Sequence, residues 1–155
     1  MIKIAIPGKR TYEFEHLLLD VNGTIALDGE VIEGVAERLQ ALSNLLDISA
    51  VTANTQGNAQ QLGDTMHIKI HTIDAGDEDT QKLALLQQLG KDTICIGNGC
   101  NDVSMLKQCA LGICVVGCEG TSIEAIVNSD LVVFSITDAL DLLLKPNRLI
   151  GTLRK

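Results

Sequence analysis

The chain has no tryptophan, one tyrosine and two phenylalanines, so aromatics make up 2% of it while hydrophobic residues make up 46%. Its core must therefore be aliphatic, filled by Leu, Ile, Val and Ala. It also lacks a basic excess: 12 Lys and Arg face 20 Asp and Glu, a net charge of −8. That balance disfavours nucleic acid or an anionic membrane as a partner. No stretch approaches the roughly 20 apolar residues of a membrane helix, and the N-terminus lacks the basic segment and apolar core of a signal peptide, so a cytoplasmic protein is expected. Low-complexity segments, internal repeats and Pro/Gly/Ser linkers are absent too. The 155 residues are expected to form a single domain over 1–155, which is about the commonest domain size.

Paired cysteine spacing is the last absence. All five cysteines (95, 100, 109, 114 and 118) fall within 24 residues, yet none forms a CxxC pair. An odd count without paired spacing argues against a disulfide framework or a zinc site. Cys95 and Cys114 read as buried strand residues, and Cys100 and Cys118 as loop residues.

What is present alternates as in α/β proteins. Strands are expected at 2–6 and 12–19, the first turned by Pro7-Gly8 into an exposed antiparallel ribbon over residues 1–15. A helical face runs through Val35, Leu39, Leu42 and Leu46, spaced for burial against a sheet. Strand 48–52 follows, then a short helix over 58–62 that Gly63 would end, and strand 67–73. His67, Lys69 and His71 alternate along that strand, a pattern that fits a solvated face better than a metal pair. Helices at 80–89, 101–109, 121–127 and 137–144 then alternate with strands at 93–96, 111–116 and 131–134, and Pro146 is expected to stop the last helix. Right-handed crossovers would place the loops that follow the strands on one edge of a parallel sheet.

Four of those loops carry chemistry. Leu17-Leu18-Leu19 reads as a buried strand that delivers Asp20 into the turn Asp20-Val21-Asn22-Gly23-Thr24. Ile48-Ser49-Ala50-Val51 leads to Thr52-Ala53-Asn54-Thr55, which brings a hydroxyl and backbone N–H groups. Lys82 follows the acidic stretch Asp77-Glu78-Asp79 at the start of an amphipathic helix. Thr93-Ile94-Cys95-Ile96 runs into Gly97-Asn98-Gly99-Cys100-Asn101-Asp102, where two glycines allow backbone to approach a ligand. Carboxylate, hydroxyl, ammonium and second carboxylate suit phosphoryl transfer, in which catalysis is mostly positioning and charge stabilisation. Asp20 would attack phosphorus, and Thr52 and the amides near it would hold phosphoryl oxygens. Lys82 would neutralise the remaining charge and keep the Asp20 pKa low. Two carboxylates need a cation between them, and Mg²⁺ prefers oxygen ligands that it shares with phosphate and water.

This ordered set resembles the haloacid dehalogenase superfamily, whose four motifs are DxDGT, a strand-end Thr or Ser, a Lys, and GDGxND. The branch most similar to it is the phosphorylation domain of P-type ATPases and its soluble relatives. Gly97-Asn98-Gly99-Cys100-Asn101-Asp102, Glu119-Gly120-Thr121-Ser122 and Asp130-Leu131-Val132-Val133 resemble that branch. The resemblance implies a three-layer, Rossmann-like α/β fold with helices on both faces of a parallel sheet. It implies Mg²⁺ held by Asp20, Asn22 through its backbone carbonyl, Asn98 and Asp102. Phosphate would be held by Gly23, Thr52, Ala53, Lys82 and Asn101.

Two departures matter. Asn22 stands where the superfamily's phosphatases carry the Asp that protonates the leaving group and later activates water, and an amide does neither at neutral pH. Asn98 stands where a metal-binding Asp is usual. Its carbonyl still ligates, but one negative charge has gone, so weaker metal affinity is expected. The intervals from Thr24 to Thr52 and from Thr52 to Lys82 are filled by ordinary helix and strand. They leave no room for a cap domain or a nucleotide-binding domain, so an ion pump is excluded. An open site suits a large phosphorylated substrate, or a homo-oligomer in which a neighbour supplies the lid and residues 2–15 make the contact. The favoured reading is a slow Mg²⁺-dependent phosphohydrolase or phosphotransferase working through phospho-Asp20. The alternative is a non-catalytic or regulatory descendant that binds phosphate.

Overall fold

The computed structural model describes residues 1–53 and 57–155. Among the described residues ten strands and seven α-helices follow one another: β1 Ile2–Ala5, β2 Thr11–Phe14, β3 His16–Asp20, β4 Ala26–Leu27, β5 Glu30–Val31, α1 Val35–Leu42, β6 Asp47–Thr52, α2 Ala59–Met66, β7 Lys69–Thr72, α3 Glu78–Leu89, β8 Thr93–Gly97, α4 Val103–Gln108, β9 Leu111–Val115, α5 Ile123–Val127, β10 Leu131–Val133, α6 Ile136–Leu144 and α7 Pro146–Leu153. Six strands form one sheet in the order β10-β9-β8-β3-β6-β7. All of its pairings are parallel. Helices cover both faces, which is the expected α/β, Rossmann-like arrangement. The central strand β3 lies between β6 and β8, so its end opens at the point where strand order reverses, the usual ligand position of such sheets.

The two faces follow from the alternation of side chains along a strand. Leu17 and Leu19, with Ala50, Ile94, Ile96 and Ile113, pack against α1, α2, α6 and α7. Leu18, Val51, Cys95 and Cys114 pack against Leu85 and Leu86 of α3 and Met105 and Leu106 of α4. Asp20 shares the face of Leu18, two residues on, and so points toward the layer that contains α3. Fully buried leucines at 17, 18 and 19 explain why β3 reads as an unbroken apolar run.

The structure departs from the sequence expectation at several places, among them the β4–β5 hairpin, which was not expected. The 12–19 segment is two strands, because β2 pairs antiparallel with β1 while β3 joins the main sheet, with Glu15 between them. The ribbon is exposed on one face only: Ile2, Ile4 and Phe14 are buried and join the core with Leu149 and Leu153. Gly63 does not end α2, which continues to Met66 and closes at His67 with φ +54°. A Cβ at position 63 would lie 3.1 Å from the Ile68 carbonyl oxygen, so Gly63 lets the helix sit tightly against the chain that returns to β7. Strand β7 begins at Lys69 rather than at His67, and its residues are exposed or partly buried, as a solvated edge requires. Pro146 does end α6, but it also starts α7 as its first residue, where a missing N–H costs nothing.

Candidate active site

Four loops converge at the carboxyl ends of β3, β6 and β8. After β3 the chain coils tightly: the amides of Thr24, Ile25 and Ala26 all donate to the Val21 carbonyl, at 3.2, 3.0 and 3.0 Å. Gly23 adopts φ +76° within this coil, a conformation that favours glycine. The coil turns Thr24 back over Asp20, and its hydroxyl lies 3.0 Å from Asp20 Oδ2 and 3.3 Å from Asn98 Oδ1. The short β4–β5 hairpin stands beside this coil.

Lys82 projects from the first half of α3 between the two aspartates. Its Nζ donates to Asp20 Oδ1 and to Asp102 Oδ1, both at 2.7 Å. All three side chains are buried, with Lys82 1% exposed, Asp20 5% and Asp102 0%. Asp102 is held from its other side by the amides of Asn98 and Gly99, at 2.9 and 3.0 Å to Oδ2. Two hard anions around one ammonium leave the cluster one negative charge in excess, and burial makes that excess costly.

The protonation states reflect this. Burial, followed by repulsion from Asp102, pushes the Asp20 carboxyl up to about 7, against the opposing pull of Lys82 and the hydrogen bond from Thr24. The expectation that Lys82 keeps this pKa low is thus overturned: its attraction is real, but desolvation and the second carboxylate outweigh it. For Lys82, burial works against the charge, yet Asp20 and Asp102 more than offset it and raise its pKa.

The remaining predicted residues fall around this core. Asn22 Nδ2 donates to Thr52 Oγ1 at 3.3 Å, which places the amide at the end of β6 next to the buried Thr52. Ala53 follows directly, whereas Asn54 and Thr55 lie outside the described residues. Asn98 is 8% exposed and Asn101 is exposed on the turn that leads to Asp102. Sequence reasoning did not assign Thr24 a role, although the Thr of the first motif was the available signal. It also missed Asp79, which accepts from the Ser104 amide at 2.8 Å and the Ser104 hydroxyl at 2.5 Å and so ties the first turn of α3 to α4. No sequence pattern marks that pairing. All five cysteines are free, with Cys95 and Cys114 buried and Cys100 and Cys118 exposed, as expected.

Side-chain oxygens of Asp20, Asn98 and Asp102 gather here around Thr24 and Lys82. This set fits a hard cation such as Mg²⁺. Among the described residues no three His, Cys, Asp or Glu side chains converge as a metal cluster. Beside Gly23 and Thr24 a cleft of about 360 Å³ opens between Leu27, Val116, Phe134 and Ser135. Among the described residues no helix is long and apolar enough to cross a membrane.

No family model matches the chain. It is 47% identical over 92 residues to "Uncharacterized protein MJ0073" of Methanocaldococcus jannaschii, a match that covers 56% of this chain and 99% of that protein. It is 30% identical over 116 residues to the "Probable copper-transporting ATPase PacS" of Synechocystis, covering 72% of this chain and 15% of that protein. Its fold matches the 3-deoxy-D-manno-octulosonate 8-phosphate phosphatase of Moraxella catarrhalis, solved with magnesium, phosphate and KDO. The TM-score there is 0.68 and the identity 18%, over 91% of this chain and 94% of that one. It also matches a haloacid dehalogenase family hydrolase of Streptomyces avermitilis, with a TM-score of 0.67 and 16% identity over 86% of this chain and 93% of that one. The chain thus has the fold of the haloacid dehalogenase phosphatases it matches, and by sequence it belongs to one family with the Methanocaldococcus jannaschii protein MJ0073.

Proposed function

We propose that the protein is a Mg²⁺-dependent phosphohydrolase or phosphotransferase that works through an aspartyl phosphate on Asp20, and that it belongs to the soluble branch related to P-type ATPase phosphorylation domains. The observation that carries this reading is the buried Asp20–Lys82–Asp102 chain, with both contacts at 2.7 Å, at the sheet edge where ligands of such folds collect. A strongly perturbed carboxylate in that position is better suited to chemistry than to stability.

Asp20 attacks phosphorus, the phosphorus–oxygen bond to the leaving group breaks, and the departing oxygen takes its proton from water because Asn22 has none to give. Thr52 Oγ1, the Ala53 amide and Asn101 hold phosphoryl oxygens; the Gly23 amide, expected to join them, is already donated to the Ala26 carbonyl at 2.8 Å. Lys82 balances their charge while Asp102 keeps the ammonium in place. Asp20, the Asn22 carbonyl, Asn98 and Asp102 would hold Mg²⁺, which supplies charge neutralisation between phosphate and carboxylates. The substrate's ester group lodges in the cleft beside Gly23. Water then attacks the aspartyl phosphate without a general base, so dephosphorylation is slow.

One observation favours the alternative of a regulatory phosphate-binding descendant: the Asn22 amide is tied to Thr52, so neither side chain stands ready for proton transfer. Incubation with Mg²⁺ and an aryl or acyl phosphate, or with beryllofluoride, separates the two. The enzyme reading expects turnover or covalent labelling that Asp20→Asn abolishes. Binding of phosphate with no label and no turnover in wild type would establish the regulatory reading instead.

A further inference from the structure

The charge missing at position 98 has a counterpart elsewhere in the site. After β9 the chain makes a tight turn in which the Gly120 amide donates to the Gly117 carbonyl at 3.0 Å. Asn98 grips this turn from several sides. Its carbonyl accepts from the Ser122 amide at 2.9 Å and from Thr121 Oγ1 at 2.7 Å. Its side-chain Nδ2 donates to the Gly120 carbonyl at 3.4 Å. An aspartate at 98 has no N–H to make that last contact and would repel the carbonyl, so the Asn is matched to this loop.

The turn carries Glu119 to the mouth of the site. A Cβ built on Gly23 would lie 2.3 Å from Glu119 Oε2 and 2.7 Å from Asn98 Nδ2. The Glu119 carboxylate and the Asn98 amide therefore wall the same point, directly after Asn22, whose carbonyl is a candidate cation ligand. The close approach is built into the backbone, since a Cβ on Gly117 would lie 3.0 Å from the Gly23 carbonyl oxygen. Among the described residues Glu119 makes no hydrogen bond and no ion pair, and it is exposed.

We propose that Glu119 supplies the negative charge that position 98 lacks, holding a hydrated divalent cation at the Asp20 site through the cation's water shell. The inference rests on the reading of this site as a magnesium-dependent one. Magnesium sheds its water reluctantly and is commonly held by few direct carboxylates, so a carboxylate beyond direct contact still contributes. Outer partners of this kind are worth roughly 10–100-fold in metal affinity. The loop also explains why the two changes coexist: Asn98 fixes the turn that brings the replacement charge.

Titration calorimetry with MgCl2 and MnCl2, without any phosphate compound, tests this on wild type, Glu119→Gln, Asp20→Asn and Asn98→Asp/Glu119→Gln. Glu119 is exposed and unbonded, so its substitution leaves the fold intact. Glu119→Gln is expected to weaken both ions by about 10-fold, with a smaller loss at high salt because the exposed charge is screened. Asn98→Asp in that background is expected to recover most of the loss. Affinity in Glu119→Gln equal to wild type, alongside wild-type binding that Asp20→Asn abolishes, would overturn the role of Glu119 and leave the magnesium site standing. Absence of binding to wild type would overturn both.

Discussion

Asp102 occupies the space above Gly97 that any side chain there would need: a Cβ on Gly97 would lie 2.5 Å from Asp102 Cγ and 2.6 Å from its Oδ2. The glycine at the end of β8 is thus a vacancy cut for a carboxylate. Gly97→Ala is expected to push Asp102 off the Asn98 and Gly99 amides and away from Lys82, with loss of phosphoenzyme formation and a melting temperature several degrees lower. Circular dichroism melting and beryllofluoride labelling check both effects. An unaltered melting curve with full labelling would show that the close approach is dispensable.

Among the described residues Lys82 is the sole cation in contact with the two buried carboxylates Asp20 and Asp102, so its removal leaves uncompensated charge. Breaking a buried ion pair at one partner costs about 3–5 kcal/mol. Lys82→Met is therefore expected to lower the melting temperature by roughly 10 °C, given about 2–4 °C per kcal/mol at this chain length. The same variant carrying Asp20→Asn should recover part of that loss, because one of the stranded charges has gone. Thermal unfolding of the single and double variants at low ionic strength measures the coupling.

Asp20 itself predicts a pH dependence of known sign. Its folded-state pKa of about 7 lies above the ordinary 3.8, so the folded protein holds this proton more tightly than the unfolded chain does. The associated stability is fully present below pH 3.8 and is lost as pH rises through about 7. Metal-free wild type is expected to lose a few kcal/mol relative to Asp20→Asn between pH 5 and 8. Saturating Mg²⁺, which favours the carboxylate, should flatten the difference. Denaturant unfolding at a series of pH values, with and without EDTA, gives the comparison, and parallel curves for the two proteins would refute it.

Arg38 of α1 donates to Asp141 of α6 at 2.9 Å, and this hydrogen bond holds the Asp141 carboxyl below its ordinary range. The stability it gives is present above pH 3.8 and is lost as pH falls through the lower folded value. Asp141→Asn is expected to remove that acid-side dependence while leaving labelling of Asp20 unchanged. Because the pair is partly solvent-exposed, its effect at neutral pH should be small, which sets it apart from the buried Lys82 cluster.

Most of the sheet was legible because its strands are buried on both faces and read as apolar runs that end at Asp20, Thr52 and Gly97. Asp20, Thr52 and Asn98 stood out as candidates because each stands at or just after such an end, whereas Lys82 lies within α3. What escaped was set by partners distant in sequence. Glu15 separates two strands only because β2 finds β1. Gly63 continues a helix because Ile68 and Ile70 come close to it. Pro146 begins a helix because its first position demands no N–H. Asp79 carried no periodic or motif signal, and Glu119, although it opens the segment Glu119-Gly120-Thr121-Ser122, carried none for a place beside the cation site, since their meaning depends on Ser104 and Gly23, which the fold brings to them.

Asn22 provides the sharpest test of mechanism. Its amide donates to Thr52 at 3.3 Å, so an aspartate of nearly the same shape fits the same place, accepting from the Thr52 hydroxyl when ionised. A positioned acid and base typically contributes about 10²–10⁴-fold. Asn22→Asp is therefore expected to raise turnover of an aryl phosphate by at least about 10-fold and to shorten the lifetime of the aspartyl phosphate. The rate should fall at high pH, where the new carboxyl no longer donates a proton to the leaving group. Single-turnover kinetics with acid quench separate formation from decay of the phosphoenzyme. Faster decay with unchanged formation would assign the missing step to water activation, and a variant no faster than wild type in either step would remove Asn22 as the cause of slow turnover.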